Sequence, residues 1–148
     1  MSVLAMGADV VDIPTFAAQM ALPGSRLAEV FTARERRRAT RRAEESGTAA
    51  PDSPGHASAH LAAVWAAKEA FIKAWSGALY GKEPVLGRDD IDFGDIEVLH
   101  DSWGRPSIAL RGDLAPLVDD SLGGPVRLLT SASHDGDVAC AVVIVERP

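Results

Sequence analysis

The chain contains one cysteine, Cys140, so an internal disulfide is excluded, and its place in an apolar strand pattern predicts a buried thiol rather than a reactive one. Long apolar runs are missing too. The longest, Val138 to Val145, falls far short of the roughly 20 residues a membrane-spanning helix needs, so no membrane partner is expected. Met1 to Gly7 lacks a basic stretch, and Asp9 and Asp12 follow almost at once, unlike a secretory signal; the chain reads as cytoplasmic. Positive charge is scarce: 15 Lys and Arg against 21 Asp and Glu give a net charge of −6, which disfavours nucleic acid and anionic membrane surfaces. There is no GxxxxGK loop, no GxGxxG after a strand, no HExxH, no paired CxxC and no GxSxG elbow. Ser133, His134 and Asp135 are neighbours, but adjacency in sequence is not triad geometry.

A chain of 148 residues, 47% hydrophobic and 24% charged, suits one compact domain, 1–148. Val3 to Val11 is apolar and β-branched and predicts a core strand, with Gly7 inside it and Asp9 where burial is expected. Pro14 can open a helix. Thr32 and Glu35 match a capping box that starts a second helix. This helix carries Arg34, Arg36, Arg37, Arg38, Arg41 and Arg42, a local basic patch on an acidic chain. Residues 43–59 are rich in Ala, Ser, Gly, Pro and acids and predict a flexible insertion. His60 to Trp75 predicts the strongest helix, with Gly77 to end it. Ile96 to Leu99 with Ser107 to Leu110, and Val126 to Ser131 with Val138 to Val145, predict two strand pairs, the second joined through His134-Asp135-Gly136. Strands at both ends with helices between them predict an α+β fold, a small antiparallel sheet with a helical layer.

Three features carry potential chemistry. Asp9 in an apolar strand must be neutralised or well hydrogen-bonded, as a cation ligand or as a satisfied structural acid. Glu69 and Lys73 are four apart and share a helix face; alone they match a common surface pair, but Trp65 and Ile72 flank them, where a carboxylate suits a metal and an ammonium suits a phosphate. His134, with Ser133, lies between two apolar strands at a sheet end, as a loop group for binding or as an ordinary turn residue. Gly104-Arg105-Pro106 forms a turn between the other two strands.

Together, GADVVDI, FTARE, WAAKEAFIKAW, DIEVLHDSWGRPSIALRG and TSASHDGDVACAVVIVE, in this order, resemble the holo-[acyl-carrier-protein] synthases, the short trimeric class of the 4′-phosphopantetheinyl transferase superfamily. The resemblance spans nearly the whole chain; residues 43–59 and Tyr80 to Phe93 look like the insertions of actinobacterial members. It implies a 4′-phosphopantetheinyl transferase fold and transfer of the phosphopantetheine arm from coenzyme A to a serine of apo acyl carrier protein, with release of 3′,5′-ADP, in support of fatty acid biosynthesis. It implies a magnesium ion at Asp9 and Glu69, Lys73 on phosphate, and Glu69 as general base. Coenzyme A is expected beside Lys73, Ser133, His134, Gly104, Arg105, Pro106, Ser76 and Gly77. The acceptor, a free carrier protein or the carrier domain of a fatty acid synthase, is expected at Arg34, Arg37, Arg38 and Arg41, because carrier proteins are acidic where they dock. A homotrimer with sites between protomers is expected.

Three positions depart from the family pattern. Val64 stands where relatives usually carry an arginine, Ser76-Gly77 displaces a glycine, and Thr15 replaces a basic residue of some relatives. A catalytically weak carrier-protein or nucleotide-binding protein of the same fold is the alternative these departures leave open.

Overall fold

A computed structural model of the chain describes residues 1–46 and 55–148. Strand β1 (Ser2–Asp12) leads directly into helix α1 (Ile13–Ala21), where Asp12 caps the helix by accepting from the Thr15 N–H at 2.9 Å and Pro14 occupies the first turn. Helix α2 (Ala33–Glu45) opens on the expected capping box. Thr32 Oγ1 accepts from the Glu35 N–H, and Glu35 Oε2 accepts from the Thr32 N–H at 2.8 Å.

Helix α3 (Gly55–Ala78) is the long central element. It runs past Gly77, which was expected to end it; the left-handed glycine of the following turn is Gly81, with φ 82°. The expected flexible insertion, 43–59, is helical at its ends, since α2 reaches Glu45 and α3 begins at Gly55. Residues 47–54 of it lie outside the described residues. Strands β2 (Ile96–His100) and β3 (Pro106–Leu110) form an antiparallel ribbon, helix α4 (Leu114–Leu122) follows, and β4 (Arg127–Asp135) and β5 (Val138–Arg147) form a hairpin. The hairpin loop is Gly136-Asp137, so His134 and Asp135 belong to β4 itself rather than to the connection.

The larger sheet is antiparallel with order β1-β5-β4. Its inner face packs against α3. Ala62, Ala66, Ala67, Ala70 and Ala74 are buried along the helix, and their small side chains let it approach the sheet closely. The approach is tightest at Gly7, where a Cβ would lie 2.0 Å from the Ala70 carbonyl oxygen and 2.4 Å from the Ala74 nitrogen, so only glycine fits. Alternation along β5 turns Ala139, Ala141, Val143 and Val145 inward. Cys140 therefore faces outward and is exposed, which corrects the expected buried thiol. Its outward neighbours are apolar as well: Met6, Val10, Leu129, Val138 and Val142 are all exposed.

Candidate active site

Asp9 projects from the inner face of β1 and Glu69 and Lys73 from α3, and all three line one cavity of about 400 Å³ with Thr15, Trp65 and Arg88. The close β1–α3 contact at Gly7, two residues from Asp9, fixes their relative placement. Lys73 Nζ lies 2.7 Å from Asp9 Oδ1, and Arg88 NH2 lies 2.7 Å from Glu69 Oε1. The Glu69 side chain is only 8% exposed, whereas that of Arg88 is 70% exposed. Burial pushes the Glu69 carboxyl up, Arg88 opposes that shift, and the negative charge of Asp9 adds to it.

This donor set fits a hard divalent cation. Two carboxylates from separate elements face one space, and each has already drawn a cationic side chain to it. Among the described residues no group of three or more His, Cys, Asp or Glu could hold a metal ion. Such an ion would thus complete its shell with substrate oxygens and water, as magnesium usually does.

The remaining expected residues gather elsewhere. Ser133, His134, Gly104 and Pro106 line a second cavity, of about 250 Å³, with Arg38, Arg42, His60, His100 and Val64. The His134 ring meets that of His60 edge-on at 5.0 Å between centroids. The register explains the separation. Asp9 pairs with Ala141 on one side of β5 and Ala132 pairs with it on the other, so the two sets sit on opposite edges of the sheet, with α3 packed across the face between them. Consecutive strand residues project to opposite faces, so Ser133 and His134 do not form a nucleophile–base pair. Burial lowers the His100 pKa to about 4, with Arg38, His60 and Arg42 adding to the effect, and its Nδ1 is buried without a hydrogen-bond partner among the described residues.

Arg105 is held by Asp101 and stacks over Trp103 at 5.0 Å, and it is absent from the second cavity's lining. Ser76 lines an apolar groove with Trp75, Leu79 and Leu86. Gly77 packs against β1, with the Ala5 Cβ 3.6 Å from where its own Cβ would be. Arg34, Arg37, Arg38 and Arg41 do come together, in a groove of about 730 Å³ between α2 and β2.

Two residues that sequence reasoning passed over organise the site. Lys68, fully buried beside Glu69, donates to the Val30 and Phe93 carbonyls at 2.7 and 2.8 Å and pairs with Glu35 Oε2 at 3.0 Å. Burial pulls its pKa down and Glu35 resists that shift. Glu35 in turn accepts from the Val98 N–H at 2.7 Å, so this pair ties α2, α3 and β2 together. The other is Arg88, for which only its position in the segment after α3 offered a signal.

The geometry and fold together define a transferase family. The chain belongs to the 4′-phosphopantetheinyl transferase superfamily, whose model matches residues 5–143, and within it to the holo-[acyl-carrier-protein] synthases. It is 46% identical over 142 residues to the holo-[acyl-carrier-protein] synthase of Corynebacterium efficiens, covering 96% of this chain and 93% of that one. It is 44% identical to that of Mycobacterium tuberculosis over all of both chains. Among solved structures it resembles the ACPS–CoA complex of Chronobacterium ammoniagenes, with a TM-score of 0.86, 43% identity, and coverage of 100% of this chain and 99% of that one. Among the described residues no helix is long and apolar enough to cross a membrane.

Proposed function

We propose that the chain transfers the 4′-phosphopantetheine group of coenzyme A to a serine of an apo acyl carrier protein in a magnesium-dependent reaction, releasing 3′,5′-ADP and supplying carriers for fatty acid biosynthesis. The observation that carries this reading is the meeting of Asp9, Glu69 and Lys73 in one cavity, with acids from a strand and a helix some sixty positions apart in sequence. Asp9 and Glu69 would hold the magnesium ion, which when bound supplies positive charge to the donor's diphosphate. Lys73, half-exposed and within reach of Asp9, is placed to stabilise charge that develops as the diphosphate bond to the leaving group breaks. Glu69, whose pKa is raised by burial, is suited to take the proton of the attacking serine hydroxyl. The phosphorus gains that oxygen and the electron pair of the broken bond leaves with 3′,5′-ADP.

The arginine groove between α2 and β2 suits an acidic acceptor, either a free carrier protein or the carrier domain of a synthase, since opposite potentials steer encounter. His134, Ser133, Gly104 and Pro106 would serve the coenzyme from a neighbouring subunit. Two sets on opposite edges of one sheet reach a single ligand most simply when two chains meet, and the apolar outer face of β1, β5 and β4 favours such a homotrimer. Val64 stands in the wall of the second cavity, where Arg38 and Arg42 supply positive charge, so the absence of an arginine at 64 does not leave that cavity without cations.

Incubating the protein with coenzyme A, magnesium and an apo carrier protein should add one phosphopantetheinyl group to the carrier, read by mass spectrometry. Unmodified carrier with several acceptors tried would overturn the reading.

A further inference from the structure

Arg88 has no role in the reading above, yet it makes the closest contact to the most buried acid of the site. Its guanidinium, carried on the turn Arg88–Asp90 at the cavity mouth, sits 2.7 Å from Glu69 Oε1. Glu69 is nearly enclosed, and a buried carboxylate without a counter-charge is strongly disfavoured. Resting on the proposed function, we infer that Arg88 is an exchangeable counter-ion: it neutralises Glu69 in the metal-free protein and turns to the diphosphate of coenzyme A when a divalent cation takes its place.

Three features support the exchange. The Arg88 side chain is 70% exposed, so it can leave Glu69 without a cavity opening behind it. It makes no other ion pair among the described residues, so nothing else holds it there. It borders both the Asp9–Glu69–Lys73 cavity and the apolar groove lined by Ile72, Trp75 and Leu79, so a small swing keeps it beside any diphosphate held by the two acids. A planar guanidinium can donate to two phosphate oxygens at once, which Lys73 cannot match as a point charge. The consequence is a trade between ligands. Arg88 opposes the metal when it binds alone and favours the coenzyme when both bind.

Mn²⁺ serves as the probe, its free concentration read by electron paramagnetic resonance, and coenzyme A binding is read by calorimetry with Mn²⁺ present. The Arg88→Ala variant should bind Mn²⁺ alone about fivefold more tightly than the unmodified protein, because a competing ion pair is gone. The same variant should bind coenzyme A about tenfold more weakly, having lost a charge-assisted contact. Arg88→Lys should leave Mn²⁺ binding unchanged and restore part of the coenzyme affinity. Opposite shifts of the two ligands are the signature that a merely structural arginine would not give. Unchanged or weaker Mn²⁺ affinity in Arg88→Ala, or unchanged coenzyme affinity, overturns the inference; Arg88→Gln, which keeps the length of the side chain, repeats the test if the alanine variant unfolds at lower temperature. Glu69→Gln distinguishes the two levels. Full Mn²⁺ binding in that variant refutes the metal assignment to Glu69, whatever Arg88 does.

Discussion

Gly7→Ala probes the contact on which the site's geometry depends. The added methyl would sit 2.0 Å from the Ala70 carbonyl oxygen and 2.4 Å from the Ala74 nitrogen, against an ordinary carbon contact of about 3.5–4.0 Å. Both opposing atoms are helix backbone, so no side chain can rotate aside; α3 must lift from β1 by more than about 1 Å. Overpacking costs about 1–3 kcal/mol, and backbone-on-backbone crowding puts this case at the upper end. For a domain of this size about 3 kcal/mol corresponds to a fall in Tm of about 10 °C, readable by circular dichroism. The same displacement separates Asp9 from Glu69 and Lys73, which flank Ala70 and Ala74 on the helix. A misplacement of about 1 Å can reduce turnover about 100-fold, so transferase activity should fall even at temperatures where the variant is fully folded. A variant within about 2 °C of the parent in Tm with unchanged activity would refute the claim that Gly7 sets this geometry.

Three further outcomes are expected. Lys68→Met leaves Glu35 buried with only its backbone donors and should cost about 3 kcal/mol in urea unfolding; a loss under about 1 kcal/mol would show that the pair adds little. The lowered pKa of His100, about 4 when folded, means that the unfolded chain binds the extra proton first as pH falls. Its contribution is complete above the unfolded pKa of about 6.5 and is lost progressively down to about 4. With the side chain partly exposed this amounts to about 1–2 kcal/mol, and His100→Gln should flatten the pH dependence of stability in that window. An unchanged slope would contradict the assignment. Val142→Asp, on the exposed apolar sheet face, should reduce the molar mass measured by light scattering from that of the proposed trimer to the monomer's; a parent protein already monomeric would remove the basis for a shared site.

Much of this architecture is legible in residue order, because the local signals are strong. Thr32 with Glu35 and Pro14 each mark a helix start, and the apolar, β-branched run Val3 to Val11 marks a strand, without help from the rest of the chain. Asp9, Glu69 and Lys73 are legible as chemistry because an acid in an apolar strand and a charged pair on an apolar helix face both need a reason. What local patterns could not give is tertiary in origin. Strand β5 is apolar from Val138 to Val145, so its sequence does not tell which alternate set faces α3, and Cys140 was expected on the wrong side. Helix α4 is short, and although Leu114, Leu117, Val118 and Leu122 stand at helical spacing, Pro116 in its first turn and the paired acids near its end mask so brief a pattern. Its C-terminal signal is Gly123, left-handed at φ 78°. Gly77 reads as a stop, yet the helix continues through it to Ala78, and a Cβ there would meet only the Ala5 Cβ at an ordinary 3.6 Å. Lys68 looks like one more helix-surface charge, and only the fold supplies Glu35 and the two carbonyls that justify its burial. The distance between His134 and Asp9 is likewise a property of strand order, which no motif encodes.

A crystal grown with coenzyme A and Mn²⁺ offers the most direct measurement, because the anomalous signal of manganese locates the ion independently of the protein. The expected result is one peak between the Asp9 and Glu69 carboxylates, in contact with the coenzyme's diphosphate. A peak elsewhere, or a diphosphate bound away from both acids, would contradict the assignment of this cavity as the site of transfer.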